Sequence, residues 1–545
     1  MTPGVARHAT VALLGLAAGC VRTGAPLVTG TWAGELRHPR VTLPLDIVID
    51  STGAAATVTN RLWGLSAAPA TIRAAADSVE LLVVVADGGP SVPGDTIRFR
   101  MAGPAAVWSG VGQRGQDTAA VELVRVDPAG AALAANLTGP GPGRAVGSYR
   151  TSAGHLVAIA PFSEFGDRAM LIDYVGGRVG PLLPIGPTRF LLGAAIVAPL
   201  FPADTVDLTL GRDGSVTGLR WSGAGAAALT ATRVATSDTS LTFTNGAVTL
   251  AGTLTRPATP GPHPALVLVH GSNAQPRETF GPWTRYFAGL GYAVLAYDKR
   301  GTGASSGDWK QAGFPALASD ALAAVRALAA RADIRRDKIG LWGISQAGWI
   351  MPLVAAQAPA EVAFMVVHAG TGTTVREQGV LNYRNELRFA GLPESAVAIG
   401  VRYRMLDDSV TKAGGSVAPV ERFYQEHRAE APWLDEPAPA DVWFRGYYRI
   451  LMDFDPRQAW ERVTCPVLLF FGELDANVPP AESWPPIERG LARAGNRRVT
   501  QYTLPGANHV FLAARTGAGD EYPRLSRFVP GYFDRMAQWL ESNAR

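Results

Sequence analysis

The stretch Lys338–Met351 reads Lys-Ile-Gly-Leu-Trp-Gly-Ile-Ser-Gln-Ala-Gly-Trp-Ile-Met and has the pattern of a strand, a sharp turn and a helix. The apolar run before the turn has the length of a buried strand. Gly343 and Ala347 supply the small side chains that a tight turn requires, and Gly348 lets the following helix pack closely. The stretch is interpreted as a nucleophile elbow with Ser345 at its apex and alanine in place of the usual final glycine. An ordinary loop serine is the alternative, so the prediction depends on an acid and a histidine further along the chain.

Two later loops supply these partners. A serine hydroxyl becomes a good nucleophile only when a base takes its proton, and an anion must orient and stabilise that base. His509 follows Gln-Tyr-Thr-Leu-Pro-Gly-Ala-Asn, a predicted strand that ends in a turn before the last helix. Asp475 lies in the loop Gly-Glu-Leu-Asp-Ala-Asn-Val-Pro after another predicted strand, with Glu473 as the rival acid. The chain order Ser345, Asp475, His509 is that of the α/β-hydrolase fold.

Acyl transfer also requires hydrogen-bond donors where the oxyanion of the tetrahedral intermediate forms. One donor is predicted to be the backbone N–H of Gln346, directly after the nucleophile. The other is predicted in the loop after the strand that ends at His270, at Ser272, with Asn273 as the second choice. His270 is expected to brace this loop, and His368, at the end of another strand, is expected to be structural.

Composition excludes several other classes of protein. The chain has 545 residues, of which 47% are apolar and 18% charged, so two or three folded domains are expected. The formal net charge is +4 without a dense block of lysine or arginine, which argues against nucleic acid as a partner. No cluster of cysteine and histidine has metal-ligand spacing. We therefore expect neither a metal nor a cofactor.

The first 20 residues predict export. The pair Arg7-His8 precedes the apolar run Ala9–Ala18, and the small residues that end it lead to Cys20. This resembles a bacterial lipoprotein signal, with Cys20 as the lipidated residue. Ala17 stands where leucine is usual, so ordinary signal cleavage is the alternative. We expect a periplasmic or cell-envelope protein that contacts the membrane only through a lipid anchor, with Cys465 as a buried, unpaired thiol.

Three domains are predicted after the signal. Residues 28–127 consist of short alternating runs without a helix, which is typical of a small β-barrel or sandwich. The opening Gly-Thr-Trp-Ala-Gly and closing Val-Glu-Leu-Val-Arg of this segment resemble a lipocalin-like β module. A linker rich in Gly, Pro and Ala precedes a second β-rich domain at 144–236. Over 240–545 strands alternate with helices, which predicts a mostly parallel sheet covered on both faces.

A helical cap is predicted at 371–462, where helical patterns replace strands. The segment is rich in aromatic side chains, which either line a substrate pocket or pack the helices: Trp433, Trp443, Phe444, Tyr447 and Tyr448. We expect packing for each of them taken singly. The glycine-rich segment 298–308 lacks the ending of a phosphate-binding loop and is interpreted as a structural turn, with an ion pair between Asp298 and Arg300.

Four motifs together resemble exported bacterial α/β-hydrolases of the serine aminopeptidase-like and acyl-esterase group: His270-Gly-Ser, Tyr297-Asp-Lys-Arg-Gly-Thr-Gly-Ala-Ser-Ser-Gly-Asp-Trp309, Gly340-Leu-Trp-Gly-Ile-Ser-Gln-Ala-Gly-Trp-Ile350 and Gly506-Ala-Asn-His509. The resemblance covers roughly the last 300 residues. It implies a carboxylesterase that acts on short or medium acyl esters through Ser345, His509 and Asp475, without a cofactor. The sequence departs from the group at Asn273, where glycine is usual, and at Ala347.

Three functions stay open at this point. The leading hypothesis is a hydrolase of small-molecule esters that works through an acyl-enzyme. The second is an exported peptidase of the same fold, which would need an anchor for a charged peptide end, such as Glu377, Glu386 or Glu394 in the cap. The third is an envelope protein whose β domains bind a ligand and whose hydrolase domain is vestigial.

Overall fold

A computed structural model describes the chain over residues 29–38, 41–60, 65–75, 78–84, 96–103, 107–114, 117–126, 142–165, 168–184, 186–193, 195–196, 204–223 and 227–544. The predicted signal and Cys20 lie outside these residues. The chain divides into two compact units, one drawn from residues 1–144, 180–209 and 220–229 and the other from residues 145–179, 210–219 and 230–545.

The first unit contains a closed antiparallel barrel of eight strands: β1 Gly30–His38, β2 Val41–Ile49, β3 Ala55–Asn60, β4 Leu65–Ala74, β5 Ser78–Val84, β6 Thr96–Ala102, β7 Val107–Arg114 and β8 Asp117–Val126. Side chains alternate between the interior and the surface, as along β6, where Ile97, Phe99 and Met101 are buried. Trp32 and Trp108 stack in the interior with ring centroids 3.6 Å apart. The short alternating runs of residues 28–127 thus correspond to strands, and the alternation is weakest in β4, where alanine and proline interrupt the pattern.

The second β-rich segment contributes strands to both units: β9 Gly147–Thr151, β10 Leu156–Pro161, β11 Ala169–Asp173, β12 Val179–Pro184, β13 Arg189–Leu192, β14 Asp204–Leu210, β15 Val216–Ser222 and β16 Leu229–Arg233. In one unit β10 pairs with β9 and β11, and β9 also pairs with β16. In the other, β13 pairs with β12 and β14. The segment is all-β, as predicted, and its boundaries at 144 and 236 stay a prediction.

The C-terminal region forms an eight-stranded sheet: β17 Thr236–Asn245, β18 Val248–Pro257, β19 His263–Val269, β20 Ala293–Tyr297, β21 Ile334–Ile344, β22 Phe364–His368, β23 Val467–Gly472 and β24 Val499–Leu504. Its order is β17-β18-β20-β19-β21-β22-β23-β24. Strand β18 is antiparallel to both of its neighbours, β17 and β20, and all the other neighbouring strands pair in parallel. Every residue of β20, β22 and β23 is buried, because both faces of the sheet are covered. The predicted fold class, an α/β-hydrolase preceded by all-β domains, is confirmed.

Helices cover this sheet and form the cap. The first three are α1 Gly281–Gly289, α2 Phe314–Ala329 and α3 Ala347–Gln357. Between β22 and β23 follow α4 Val375–Phe389, α5 Glu394–Ala413, α6 Ala418–His427, α7 Trp443–Leu451 and α8 Arg457–Trp460, and then α9 Pro480–Arg493 and α10 Tyr532–Asn543. Short 3-10 helices lie at Pro142–Ala145, Ser163–Phe165, Arg277–Phe280, Trp309–Gln311 and Gly519–Arg524. The first cap helix, α4, begins with a capping box of Thr374 and Glu377, which is a helix-start signal in the sequence.

Strands β9 to β11 pack directly on α1. Ser148 Oγ donates to the Arg285 carbonyl at 2.6 Å, and the Tyr174 hydroxyl donates to the Pro282 carbonyl at 2.5 Å. A Cβ added at Gly289 would lie 2.6 Å from a methyl group of Leu156, so this helix position has room only for glycine. This β segment therefore packs on one of the helices that cover the α/β sheet.

Candidate active site

Ser345 occupies a strained turn between β21 and α3. Its φ is +59°, in the left-handed region that a residue with a side chain seldom adopts. Its N–H donates to the His368 carbonyl of the neighbouring strand at 2.9 Å. A Cβ added at Gly343 would lie 2.4 Å from the Ala347 methyl group, so the glycine makes room for the alanine. The turn has the geometry of a nucleophile elbow, and the departure at Ala347 is accommodated.

Asp475 and His509 are in contact. The His509 Nδ1 atom lies 2.9 Å from Asp475 Oδ2. The other carboxylate oxygen accepts the N–H groups of Asn477 at 2.8 Å and Val478 at 2.9 Å, and the Asp475 side chain is fully buried. An aspartate that accepts from Nδ1 leaves Nε2 as the position at which the imidazole can take a proton.

The rival acid, Glu473, points elsewhere. Its carboxylate accepts the N–H of Gly506 at 2.8 Å, which ties the acid loop to the turn before the histidine. A Cβ added at Gly472 would lie 2.5 Å from the Asn508 carbonyl, so the two loops touch through their backbones. The structure thus pairs Asp475, and not Glu473, with His509.

Sheet topology places the nucleophile at the same edge. Ser345, Asp475 and His509 follow β21, β23 and β24, and the carboxyl ends of parallel strands lie on one side of a sheet. Only β22 separates the elbow strand from the strand that precedes the acid. Because neighbouring strands are about 4.8 Å apart, the elbow and the acid loop begin roughly 10 Å apart.

The predicted oxyanion loop lies beside the elbow. It leaves β19, which pairs in parallel with β21 so that Val269 is opposite Gly343. Asn273 has a φ of +64°, a conformation that asparagine tolerates better than most residues and that explains why glycine is usual there. The Ser272 hydroxyl is buried and has no hydrogen-bond partner in the described structure. Gln346, the residue of the second predicted donor, is the N-cap of α3.

Sequence analysis missed Lys299, which joins these two segments. Its ammonium donates to the carbonyls of Gly271 at 2.9 Å and Asn273 at 3.0 Å, and to the side-chain oxygen of Gln346 at 2.9 Å. The side chain is 1% exposed, and burial lowers its pKa to about 7. Its position two residues after the fully buried β20 indicates the sheet edge but does not identify these three acceptors.

Two further buried histidines are held in structural contacts. His270 Nε2 donates to the Tyr297 carbonyl at 2.6 Å, and burial together with the nearby Lys299 lowers the pKa of His270 to about 3. His368 Nδ1 lies 2.7 Å from the Tyr532 hydroxyl, and burial lowers the pKa of His368 well below its usual value. Both imidazoles are therefore neutral near pH 7, and neither belongs to the Asp475 pair.

The predicted ion pair between Asp298 and Arg300 is wrong. Asp298 instead pairs with Arg277 at 2.6 Å, and it also accepts the N–H of Ala304 at 2.8 Å. The carboxylate is thus occupied by Arg277, which precedes α1, and by a backbone N–H of the turn itself. Arg300 extends to α2 and pairs with Asp320 at 2.7 Å.

The cap touches both halves of the site. The Gln346 amide donates to the Tyr447 hydroxyl at 3.0 Å, and the Gln378 amide donates to the Asn477 carbonyl in the acid loop at 2.6 Å. Trp309 packs edge-on against Tyr447, with ring centroids 5.0 Å apart. Of the five cap aromatics named from the sequence, Tyr447 thus contacts a predicted oxyanion residue as well as packing against a neighbour.

Other ionisable groups give no sign of metal binding. In the part of the chain that the structure describes, no group of three or more His, Cys, Asp or Glu side chains is arranged to hold a metal ion. Cys465 is buried and free, and burial raises the pKa of its thiol to about 12.

Comparison with known proteins points to hydrolases. The sequence model of the X-Pro dipeptidyl-peptidase (S15) family matches residues 245–484. The esterase EstD of Thermotoga maritima is 25% identical over 301 residues, which are 53% of this chain and 65% of EstD. An uncharacterised 31.7 kDa protein of Escherichia coli is 23% identical over 233 residues, 40% of this chain and 75% of that protein.

Solved structures are similar over the C-terminal half. A Pyrococcus furiosus esterase is 17% identical with a TM-score of 0.37, and the similarity covers 57% of this chain and 92% of the esterase. A proline iminopeptidase of Mycobacterium smegmatis is 18% identical with a TM-score of 0.38, covering 56% of this chain and 99% of that enzyme. The family match and EstD, together with the sheet order described above, support a serine hydrolase of the α/β-hydrolase fold.

Proposed function

We propose that this chain is a serine carboxylesterase that cleaves short or medium acyl esters through an acyl-enzyme. Ser345 is the nucleophile, His509 the general base and Asp475 the acid that orients it. The observation that carries the proposal is the 2.9 Å contact between His509 and Asp475, at the sheet edge where Ser345 occupies a left-handed turn. A buried acid, a histidine and a strained serine in this chain order are the parts that acyl transfer requires.

The reaction follows from these positions. His509 Nε2 takes the proton of Ser345 as the serine oxygen attacks the ester carbonyl carbon. The oxyanion accepts hydrogen bonds from the backbone N–H groups of Gln346 and Ser272. His509 then returns the proton to the leaving alcohol. In the second half, a water gives its proton to His509 and attacks the carbonyl carbon of the acyl group. The bond from this carbon to the Ser345 oxygen then breaks, His509 returns the proton to Ser345, and the acid is released.

A peptidase of the same fold is the second candidate, because the matching family model describes a dipeptidyl-peptidase. Such an enzyme needs a carboxylate for the peptide's amino end. The three glutamates considered for this role already have partners: Glu377 caps α4, Glu386 accepts from the Asn382 amide at 3.0 Å, and Glu394 pairs with Arg388 at 2.8 Å. Their engagement favours the ester substrate.

The activity test is fluorophosphonate labelling of the purified protein together with hydrolysis of p-nitrophenyl esters from acetate to decanoate. We expect labelling and turnover in the wild type and neither in Ser345→Ala. Ser319→Ala is the matched control, since its hydroxyl donates only to the Pro315 carbonyl of α2 and its loss leaves the site intact. Labelling that persists in Ser345→Ala would contradict the assignment. A wild type that neither labels nor turns over would revive the hypothesis of a ligand-binding protein with a vestigial hydrolase domain.

Amino-acid anilides separate the two hydrolase candidates. Esters and anilides that share one acyl group are compared by kcat/KM on the same enzyme preparation. Esters are intrinsically more reactive than anilides, so each kcat/KM is divided by the rate constant for base-catalysed hydrolysis of the same substrate. We expect this ratio to be higher for the esters. Equal or faster turnover of the anilides would establish the peptidase and overturn the esterase.

We also propose export with lipidation at Cys20, on the basis of the predicted signal. None of the helices in the described part of the chain combines the length and apolar character needed to cross a bilayer. In a bacterial host, the wild type should incorporate an alkyne-labelled fatty acid and sediment with membranes. Cys20→Ser should lose the label, and label retained by this variant would contradict lipidation.

A further inference from the structure

Lys299 binds the oxyanion loop at the peptide unit that contains the proposed donor, the N–H of Ser272. It donates to the carbonyl of Gly271, which belongs to the same peptide unit as the N–H of Ser272. A trans peptide points its C=O and N–H in opposite directions, so an ammonium that holds the carbonyl also sets the direction of the N–H. The second bond, to the Asn273 carbonyl, fixes the next turn of the loop.

The same ammonium also binds Gln346, the residue of the other proposed oxyanion donor. Its third hydrogen bond goes to the side-chain oxygen of Gln346, whose backbone N–H is the second proposed donor. The Gln346 amide nitrogen then donates to the cap residue Tyr447. One buried side chain therefore connects the oxyanion loop, the elbow and, through Gln346, the cap.

The charge of this ammonium is not matched by its bonded partners. All three acceptors are neutral amide oxygens at 2.9 to 3.0 Å. The nearby carboxylates of Asp298 and Asp320 are paired with Arg277 and Arg300. A cation in a buried site interacts strongly with an anion that forms nearby, because little water screens it.

We propose that Lys299 is a positioning residue for the oxyanion hole, which orients the Ser272 peptide and Gln346 and favours the negative charge that develops on the substrate. The inference rests on the proposed serine-hydrolase function. It adds a residue to that site for which neither the sequence motifs nor the triad gives a role. Lys299 acts by orienting these two residues and through its charge, and it is not proposed to donate a hydrogen bond to the substrate.

The test compares Lys299→Met with the wild type on p-nitrophenyl butyrate. Removal of the charge and of three bonds should lower kcat about 10- to 100-fold and leave KM within about twofold, since the contribution is made mainly in the transition state. Lys412→Met is the matched control, because this lysine lies in the last turn of α5 and pairs with the exposed Asp453, and it should retain wild-type kcat. Lys299→Gln keeps a neutral donor, so its kcat should lie between those of Lys299→Met and the wild type.

A pH profile gives a readout that a merely structural lysine would not provide. Because burial lowers the pKa of Lys299 to about 7, wild-type kcat should decline as the pH rises from 7 to 9. The groups that face Lys299 do not produce this decline: His270 and Tyr447 are neutral throughout, and hydrogen bonds from Arg277 outweigh burial and lower the pKa of Asp298. The remaining carboxylate, Asp320, is held in its pair with Arg300. The decline should vanish in Lys299→Gln.

Failure of the Lys299 proposal can be distinguished from failure of the proposed hydrolase function. If Ser345→Ala is inactive but Lys299→Met and Lys299→Gln keep wild-type kcat, the inference is wrong and the proposed function stands. If the wild type shows no activity that depends on Ser345, the proposed function itself fails. Should both lysine variants fail to fold, a wild-type kcat that stays constant from pH 7 to 9 overturns the inference.

Discussion

The two sides of the site hold their charges in different ways. On the acid side, the Asp475 carboxylate accepts two backbone N–H groups and contacts His509, so the anion is paired before any substrate arrives. On the oxyanion side, the Lys299 ammonium is buried among neutral acceptors. A paired charge mainly orients its partner, whereas a buried charge without a bonded counter-ion raises the energy of the resting site and gains most when an anion forms. The predictions below test this difference.

The largest effect on kcat is expected from a substitution of Asp475, the paired charge. In Asp475→Asn the amide oxygen can still accept from Asn477 and Val478, so the loop should keep its shape. The amide nitrogen would face His509 Nδ1 and force the proton onto Nε2, where the base must be free. We expect kcat to fall about 10³- to 10⁴-fold with little change in the melting temperature, measured by ester hydrolysis and thermal unfolding.

Glu473→Gln is the control for that experiment. Its amide oxygen can still accept from Gly506, and the residue does not contact His509. We expect activity within about twofold of wild type, the usual outcome for a substitution away from the reacting groups. A loss in Glu473→Gln as large as in Asp475→Asn would show that the assignment of the acid is wrong.

A smaller effect is expected from the Lys299 ammonium, whose hydrogen-bond acceptors are all neutral. It is measured as the pH dependence of the unfolding free energy. The pKa of Lys299 is about 7 in the folded protein against an ordinary value of 10.5, so between these values the unfolded chain binds more protons than the folded one. Unfolding free energy should therefore rise with pH across this window, and the penalty should be complete below pH 7. Lys299→Met should lose this rise, a difference on the order of 4 kcal/mol between pH 6 and 10. Urea unfolding of both proteins at several pH values measures it, and parallel curves would contradict a buried ammonium.

The sequence predicted the parts of the site that depend on local pattern and chain order. Ser345 and Asp475 each follow a strand with a clear apolar run, and His509 follows the last predicted strand, so their places at the sheet edge could be derived. Lys299 could not be found this way, because its three acceptors lie in two segments that only the parallel pairing of β19 and β21 brings together. The triad residues and the oxyanion donors stay predictions until the variants are measured.

The wrong ion pair has the same origin. Asp298 and Arg300 are two residues apart, which suggested a local contact. Each found a partner on another segment instead, Arg277 before α1 and Asp320 within α2. Charged groups of a buried turn are paired by the tertiary fold, and proximity in the chain does not identify the partner.

The smallest effect is expected where the β segment contacts the segment after the histidine loop through the backbone of Gly177. Phe528 donates to the Gly177 carbonyl at 2.8 Å and is bridged to Leu512, three residues after His509. A Cβ added at Gly177 would lie 2.6 Å from the Phe528 carbonyl oxygen, so Gly177→Ala must displace this contact. We expect kcat to fall about tenfold through misplacement of His509, with KM nearly unchanged.

Gly154→Ala separates this contact from backbone strain. Gly154 has a φ of +86° against +77° at Gly177, but a Cβ added there meets no atom within 4 Å. Both alanines should cost about 1 kcal/mol of stability because the left-handed conformation is strained. Only Gly177→Ala should also lose activity. Equal activity in the two variants, assayed well below their melting temperatures, would mean that the β segment supports the fold without positioning the base, and the acid side would then depend on the charge contacts of Asp475 alone.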